Sequence, residues 1–207
     1  MRRKRAILAG LVTTAGLLVS GTIAGAESPW EQADVFGQGM GGPTVAPGGA
    51  KILRTADGLS VSLSMPTPVP GSYAYPVGPT ATGEAGHPEA FSLWAFLFFN
   101  PEACDGDCDA GDLMTNPDVV AGAFNVAGHL VGGPNLTLTG HVNPGTPTFG
   151  GAMAETVGEA LSRGFSIADA EIHIAVAPHG ALDPSLLPAQ ITTPTGDPSF
   201  WWIALYK

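Results

Sequence analysis

The chain has 207 residues, with 18 acidic against 8 basic side chains and a formal net charge of −10. This balance excludes nucleic acid, anionic membranes and phosphorylated ligands as partners, because each requires clustered Lys and Arg. Charged residues are scarce (13%) while Gly (29) and Pro (19) are abundant, a composition of short strands and turns rather than long helices.

Residues 1–26 read as a signal peptide. Arg2, Arg3, Lys4 and Arg5 form the basic head, residues 6–23 are apolar and uncharged, and Ala24-Gly25-Ala26 is a small-x-small cleavage site. An uncleaved anchor is the rival reading, since the apolar run approaches spanning length. The Gly and Thr content and the cleavage site favour removal, and with it a secreted or extracytoplasmic location. Removal takes four of the eight basic residues, leaving Lys51, Arg54, Arg163 and Lys207 against all 18 acids, a net charge of −14. No later segment is apolar for long enough to span a bilayer.

Residues 27–49 read as a flexible leader, because Gly37-Gln38-Gly39-Met40-Gly41-Gly42-Pro43 has no apolar period. A single β-domain is expected over 50–207. Lys51 to Arg54 and Gly58 to Ser64 predict two strands around an Asp57-Gly58 turn, with Leu59, Val61 and Leu63 inward. Residues 66–90 carry Pro66, Pro68, Pro70, Pro76 and Pro79, which exclude helix and central strand. That stretch reads as a mobile surface loop or as a ligand-covering flap presenting Tyr73 and Tyr75. The apolar run Phe91 to Phe99 predicts a central strand covered on both faces.

Val119 to Val131 and Asn135 to Val142 predict a hairpin turning at Gly132-Gly133-Pro134. The register pairs Leu136 with Leu130 and Leu138 with Gly128. Met153, Val157 and Leu161 mark one short helix, Ala170 to Ala177 a strand with Ile172, Ile174 and Val176 inward, and Asp183-Pro184 a capped turn. Ser199 to Tyr206 ends the series as an aromatic strand that places at least one of Trp201 and Trp202 in the core. The expected fold is mainly β, an antiparallel β-sandwich or barrel with one or two short helices.

The densest chemistry is Cys104-Asp105-Gly106-Asp107-Cys108-Asp109-Ala110-Gly111-Asp112. Asp105, Asp107 and Asp109 alternate as in calcium loops, and with Asp112 they form a candidate calcium site. Two features depart from the EF-hand pattern: the sixth position is Ala110 rather than Gly, and the twelfth is Asn116 rather than Glu. The competing reading is a solvated acidic loop. In an exported chain, Cys104 and Cys108 are expected to pair, and the value of so short a bridge is rigidity.

Of the five histidines, His129 and His141 stand roughly 13 Å apart in the hairpin register and cannot share a metal. His173 and His179, joined by Glu171 or His129, form an alternative transition-metal set. There is no H-E-x-x-H, no G-x-S-x-G elbow and no phosphate-cradling Gly loop. Asn135-Leu136-Thr137 is a bare glycosylation sequon.

Residues 134–192 resemble chordin-type (CHRD) domains. The resemblance rests on Asn135-Leu136-Thr137-Leu138-Thr139-Gly140 and on Ala170-Glu171-Ile172-His173-Ile174 running into a turn at His179-Gly180. It implies an exported β-domain. It transfers no site, because Ala175 follows Ile174 where a second histidine is expected and the Gly-Glu-x-Arg-Gly segment is missing. The leading function is an exported, non-catalytic β-domain with an undefined ligand and a candidate calcium-holding loop. A histidine-based, metal-dependent exported enzyme and a structural surface protein are the alternatives.

Overall fold

The computed structural model describes residues 29–149 and 154–207. The expected signal peptide lies outside the described residues, as does the Met153 end of the expected helix. In chain order the strands are β1 (Glu31–Phe36), β2 (Thr44–Arg54), β3 (Leu59–Pro66), β4 (Val77–Gly78), β5 (Ala81–Thr82), β6 (Glu89–Phe98), β7 (Ala121–Val131), β8 (Asn135–Val142), β9 (Thr148–Phe149), β10 (Glu171–Ala181) and β11 (Trp202–Tyr206). Three short helices interrupt them: α1 (Ala110–Thr115), α2 (Val157–Ser162) and α3 (Ala189–Thr192). Nine strands form one antiparallel sheet in the order β8-β3-β2-β1-β11-β10-β6-β7-β9, strongly curled into a half-barrel, and β4 with β5 forms a small second sheet. No helix among the described residues is long and apolar enough to cross a membrane.

The middle of the sheet is the pair β6–β10. Apart from Phe96 and Ala181, every residue of both strands is buried, as expected of strands covered on both faces. One cluster, inside the curl, collects Leu93, Leu97, Ile172, Ile174, Val176 and Trp202 with side chains from β1, β2, β3, β7 and β8. The opposite face carries a second cluster around Trp94, Phe98, Ala175, Ala177, Trp201 and Ile203, covered by Cys108 and by Leu113 of α1. Trp201 and Trp202 are therefore both buried, on opposite sides of the sheet. Burying each large apolar side chain contributes about 1.5–3 kcal/mol, so the two-sided core outweighs any single polar contact.

The stretch expected as a flexible leader is structured from Glu31 on. β1 lies between β2 and β11, inside the sheet. Register shifts at Ala33/Val35 and Val35/Phe36 and the Pro47-Gly48-Gly49 segment of β2 break the period-2 pattern, which is why the sequence hides these strands. The Asp34 carboxylate accepts the Gly48 N–H at 2.7 Å and fixes the irregular stretch.

The expected β7–β8 hairpin is corrected in one respect. Both strands exist and Leu136, Leu138 and Val142 face the core as expected, but neither strand forms its ladder with the other. β7 pairs with β6, with Leu130 opposite Ala90 and Gly128 opposite Ser92. β8 pairs with β3, with Leu136 opposite Met65 and Leu138 opposite Leu63. His141 thus lies opposite Ser60 and its Nδ1 is 3.1 Å from the Ser60 Oγ. β3 offers β8 an uninterrupted apolar face of Leu59, Val61, Leu63 and Met65, all buried, which the bulged β7 does not match.

β7 and β8 still approach closely where the sheet curls back, because Gly140 has no side chain. A Cβ there would stand 2.1 Å from the Val126 carbonyl oxygen. Gly140→Ala is expected to force the two strands apart and to cost about 1–3 kcal/mol, read as a lowered urea midpoint. An unchanged midpoint would show that this approach does not constrain the fold.

Candidate functional site

A cavity of about 350 Å³ opens on the second, outer face of the sheet. Its floor comes from three neighbouring strands in register. His173 of β10 lies opposite Phe96 of β6, and Ala175 lies between Trp94 of β6 and Ile203 of β11. Phe96, Phe98, Ala175 and Ile203 line the cavity with His173, and the Trp201 ring stands beside Phe96 at 6.1 Å. Successive side chains of a strand alternate faces, so Glu171, His173 and Ala175 project together while Ile172, Ile174 and Val176 fill the inner core.

Three loops form the walls. The first is the β1–β2 connection, with Gln38, Gly39 and Met40. Gln38 sits at φ 61, a left-handed conformation uncommon for a residue with a side chain, and Gly39 follows at φ 84. The Gly39 N–H donates to the Trp201 carbonyl at 2.8 Å, which holds this turn against the aromatic wall. Such backbone outliers persist where the surroundings over-determine them, and they concentrate at binding sites.

The second wall is the acidic loop. Cys104 and Cys108 are joined in a disulfide, as expected. Asp109 caps α1 by accepting the Gly111 and Asp112 N–H groups at 2.6 and 3.2 Å, and Asp109 and Ala110 reach the cavity. The third wall is a 3-10 turn over Pro198–Phe200, where the Asp197 carboxylate accepts the Ser199 N–H at 2.9 Å. That bond holds the Asp197 carboxyl below the ordinary carboxylate range.

His173 is the polar group in the floor. Its Nε2–H donates to the Glu171 carboxylate at 2.7 Å, which leaves Nδ1 as an acceptor, and its ring lies 5.1 Å from that of Phe98. Burial pushes its pKa down, against the opposing pull of Glu171, so the imidazole is neutral at pH 7.

The structure therefore brings His173 and Asp109 to one cavity, keeps Glu171 bonded to His173, and places His179 elsewhere. His179 lies six residues further along β10, roughly 20 Å away. It is fully buried, with Nδ1–H donating to the Thr80 carbonyl at 2.9 Å and Nε2 accepting the Ser92 hydroxyl at 2.7 Å. Ser92 Oγ accepts the Trp94 indole N–H at 2.8 Å in turn. Both ring nitrogens are engaged, so a metal at His179 would have to displace this chain.

Of the four loop aspartates, Asp107, Asp109 and Asp112 are engaged by different groups. Asp112 accepts the N–H groups of Asp105 and Asp109 and the Asn116 amide. Asp107 pairs with Lys207, which lowers its pKa. Among the described residues no three His, Cys, Asp or Glu side chains are grouped to hold a metal ion. Calcium at this loop would have to compete with Lys207 for Asp107.

Sequence reasoning missed Gln38, Met40, Asp197 and the aromatic lining. One signal was available for Asp197: Asp197-Pro198-Ser199 repeats Asp183-Pro184-Ser185, and both aspartates cap a short turn. It also missed the anchoring of residues 66–90. Tyr73 and Tyr75 donate to the buried Glu89 carboxylate at 2.6 and 2.5 Å, and the Gly86 N–H adds a third bond at 3.2 Å. Burial raises the pKa of both tyrosines, so they remain donors.

No family model, curated protein or solved structure matches this chain.

Two measurements check this description. Burial lowers the folded-state pKa of both His173 and His179 below the ordinary 6.5. Below that value the unfolded chain binds more protons, so stability is full above about pH 7 and is lost as pH falls through the folded values. Denaturant midpoints are expected to fall from pH 7.5 to 5.5, and less steeply in His179→Gln; parallel profiles would contradict the assignment. Calcium is expected to leave Tm within about 1 °C of the value in EDTA, since tight binding alone would raise it. A chelator-reversible rise of several degrees would restore the acidic loop as a calcium site.

Proposed function

We propose that this chain is an exported, non-catalytic β-domain that binds a small, largely apolar ligand in the cavity over β6, β10 and β11. The observation that carries the reading is the cavity itself. It has a volume within the usual ligand-site range, an aromatic floor, and few polar groups, of which His173, Asp109 and Asp197 are held by bonds to their own framework. His173 is oriented by Glu171, and Asp109 and Asp197 by the turns they cap. Fixed polar groups around an apolar floor select a ligand's orientation. The same fixed groups lack a nucleophile with an adjacent base, which favours binding over catalysis.

Export is supported by the basic-apolar-small pattern of residues 1–26 and by the Cys104–Cys108 disulfide, which persists in oxidising compartments. The likeness of residues 134–192 to chordin-type domains agrees with export and names no ligand. The −10 charge turns anionic ligands away.

The neutral fluorescent probe N-phenyl-1-naphthylamine tests the pocket. It is expected to bind the native protein in the micromolar range, about −8 kcal/mol, with enhanced emission. Ala175→Leu places a larger side chain in the floor and is expected to weaken binding at least about tenfold, a loss of about 1.4 kcal/mol, with an unchanged circular dichroism spectrum. No enhancement with the folded wild type would overturn the reading.

A further inference from the structure

Lys207, near enough to act on His173, lies outside the cavity lining in an ion pair with Asp107. The charged side chains that do line the cavity, Asp109 and Asp197, are both carboxylates. Each uses Oδ1 to cap a turn, and Oδ2 takes no part in those caps. The basic side chains among the described residues are Lys51, Arg54, Arg163 and Lys207, and none lines the cavity. Arg54 is held by Glu31 and by the carbonyls of Ile167 and Ala170, Arg163 by Glu155, and Lys207 by Asp107. His173 is neutral at pH 7 and adds no positive charge. Phe96, Phe98 and Trp201 present aromatic rings, whose faces carry the negative end of the ring quadrupole.

Taking the cavity as the binding site proposed above, we infer that its ligand is a small organic cation, a protonated or quaternary amine on an apolar or aromatic body. A neutral ligand would fill the floor but gain nothing from the two carboxylates, which are exposed at its rim. An anion would meet both carboxylates and the aromatic faces. A cation satisfies the two carboxylates from outside their capping bonds and also gains cation–π attraction from the rings. A bare inorganic cation fits less well, since the floor is mostly apolar and offers few oxygen ligands to replace its water.

Isothermal titration of the full oxidised chain with phenyltrimethylammonium, and with tert-butylbenzene as its uncharged equivalent of the same shape, separates the possibilities. The cation is expected to bind at least about tenfold tighter than the neutral compound at low salt. Asp109→Asn and Asp197→Asn keep the caps, since Asn caps as well as Asp. Each is expected to reduce cation binding several-fold while leaving the neutral compound within about twofold. Equal affinity for the two probes would overturn the cation inference and leave the pocket standing. Binding of neither would overturn the pocket reading itself. Cation binding that survives both substitutions would reflect general attraction to an acidic chain and would also overturn the inference.

Discussion

Two adjacent strands buried on both faces almost along their whole length set the terms for this molecule. Once β6 and β10 are paired and apolar on both faces, the chain must supply a cover twice. The curl of the sheet covers the inner face with its own strands. The outer face has no second sheet of comparable size, so loops do the work: the disulfide clip and α1, the β1–β2 turn, the 3-10 turn before β11, and the β4–β5 pair with α3. The outer cover is therefore a patchwork, and the cavity is where three patches meet without closing.

The same burial disciplines the polar groups. Glu89, Glu171, His173, Ser92 and His179 all lie on β6 or β10, and each is matched. Glu89 takes two tyrosine hydroxyls and a backbone N–H, His173 and Glu171 take each other, and the Trp94-Ser92-His179-Thr80 chain runs in one direction from indole donor to backbone acceptor. An unmatched member in such surroundings would cost about 1–3 kcal/mol, which explains why residues 66–90, proline-rich as they are, stay attached to the sheet.

Patterns confined to one strand were legible in the sequence. The alternation of β3, β8 and β10, the unbroken apolar run of β6, the Asp57-Gly58 turn and the cysteine pair all follow from local chemistry. Pairing was legible only in part. The turn at Gly132-Gly133-Pro134 suggested that β7 and β8 are ladder partners, whereas the better-matched faces of β3 and β6 took them to opposite arms of the sheet. β1 and β2 were hidden by bulges and by glycines that mimic a linker. The site was the least legible part, because Gln38, Asp109, His173 and Asp197 are joined by the curl of the sheet and by no motif. His173 was singled out for a partnership with His179, from which roughly 20 Å of strand separates it.

The floor of the cavity and its walls answer to different constraints. Floor residues belong to buried strands, where a change of volume that does not point into the cavity disturbs the packing around it. Wall residues sit in short turns secured by a disulfide, two aspartate caps and one backbone bond to Trp201, all of which tolerate side-chain change at Gln38, Met40 and Ala110. On the binding function proposed for the cavity, recognition can change by substitution in the walls while folding stays under selection in the floor.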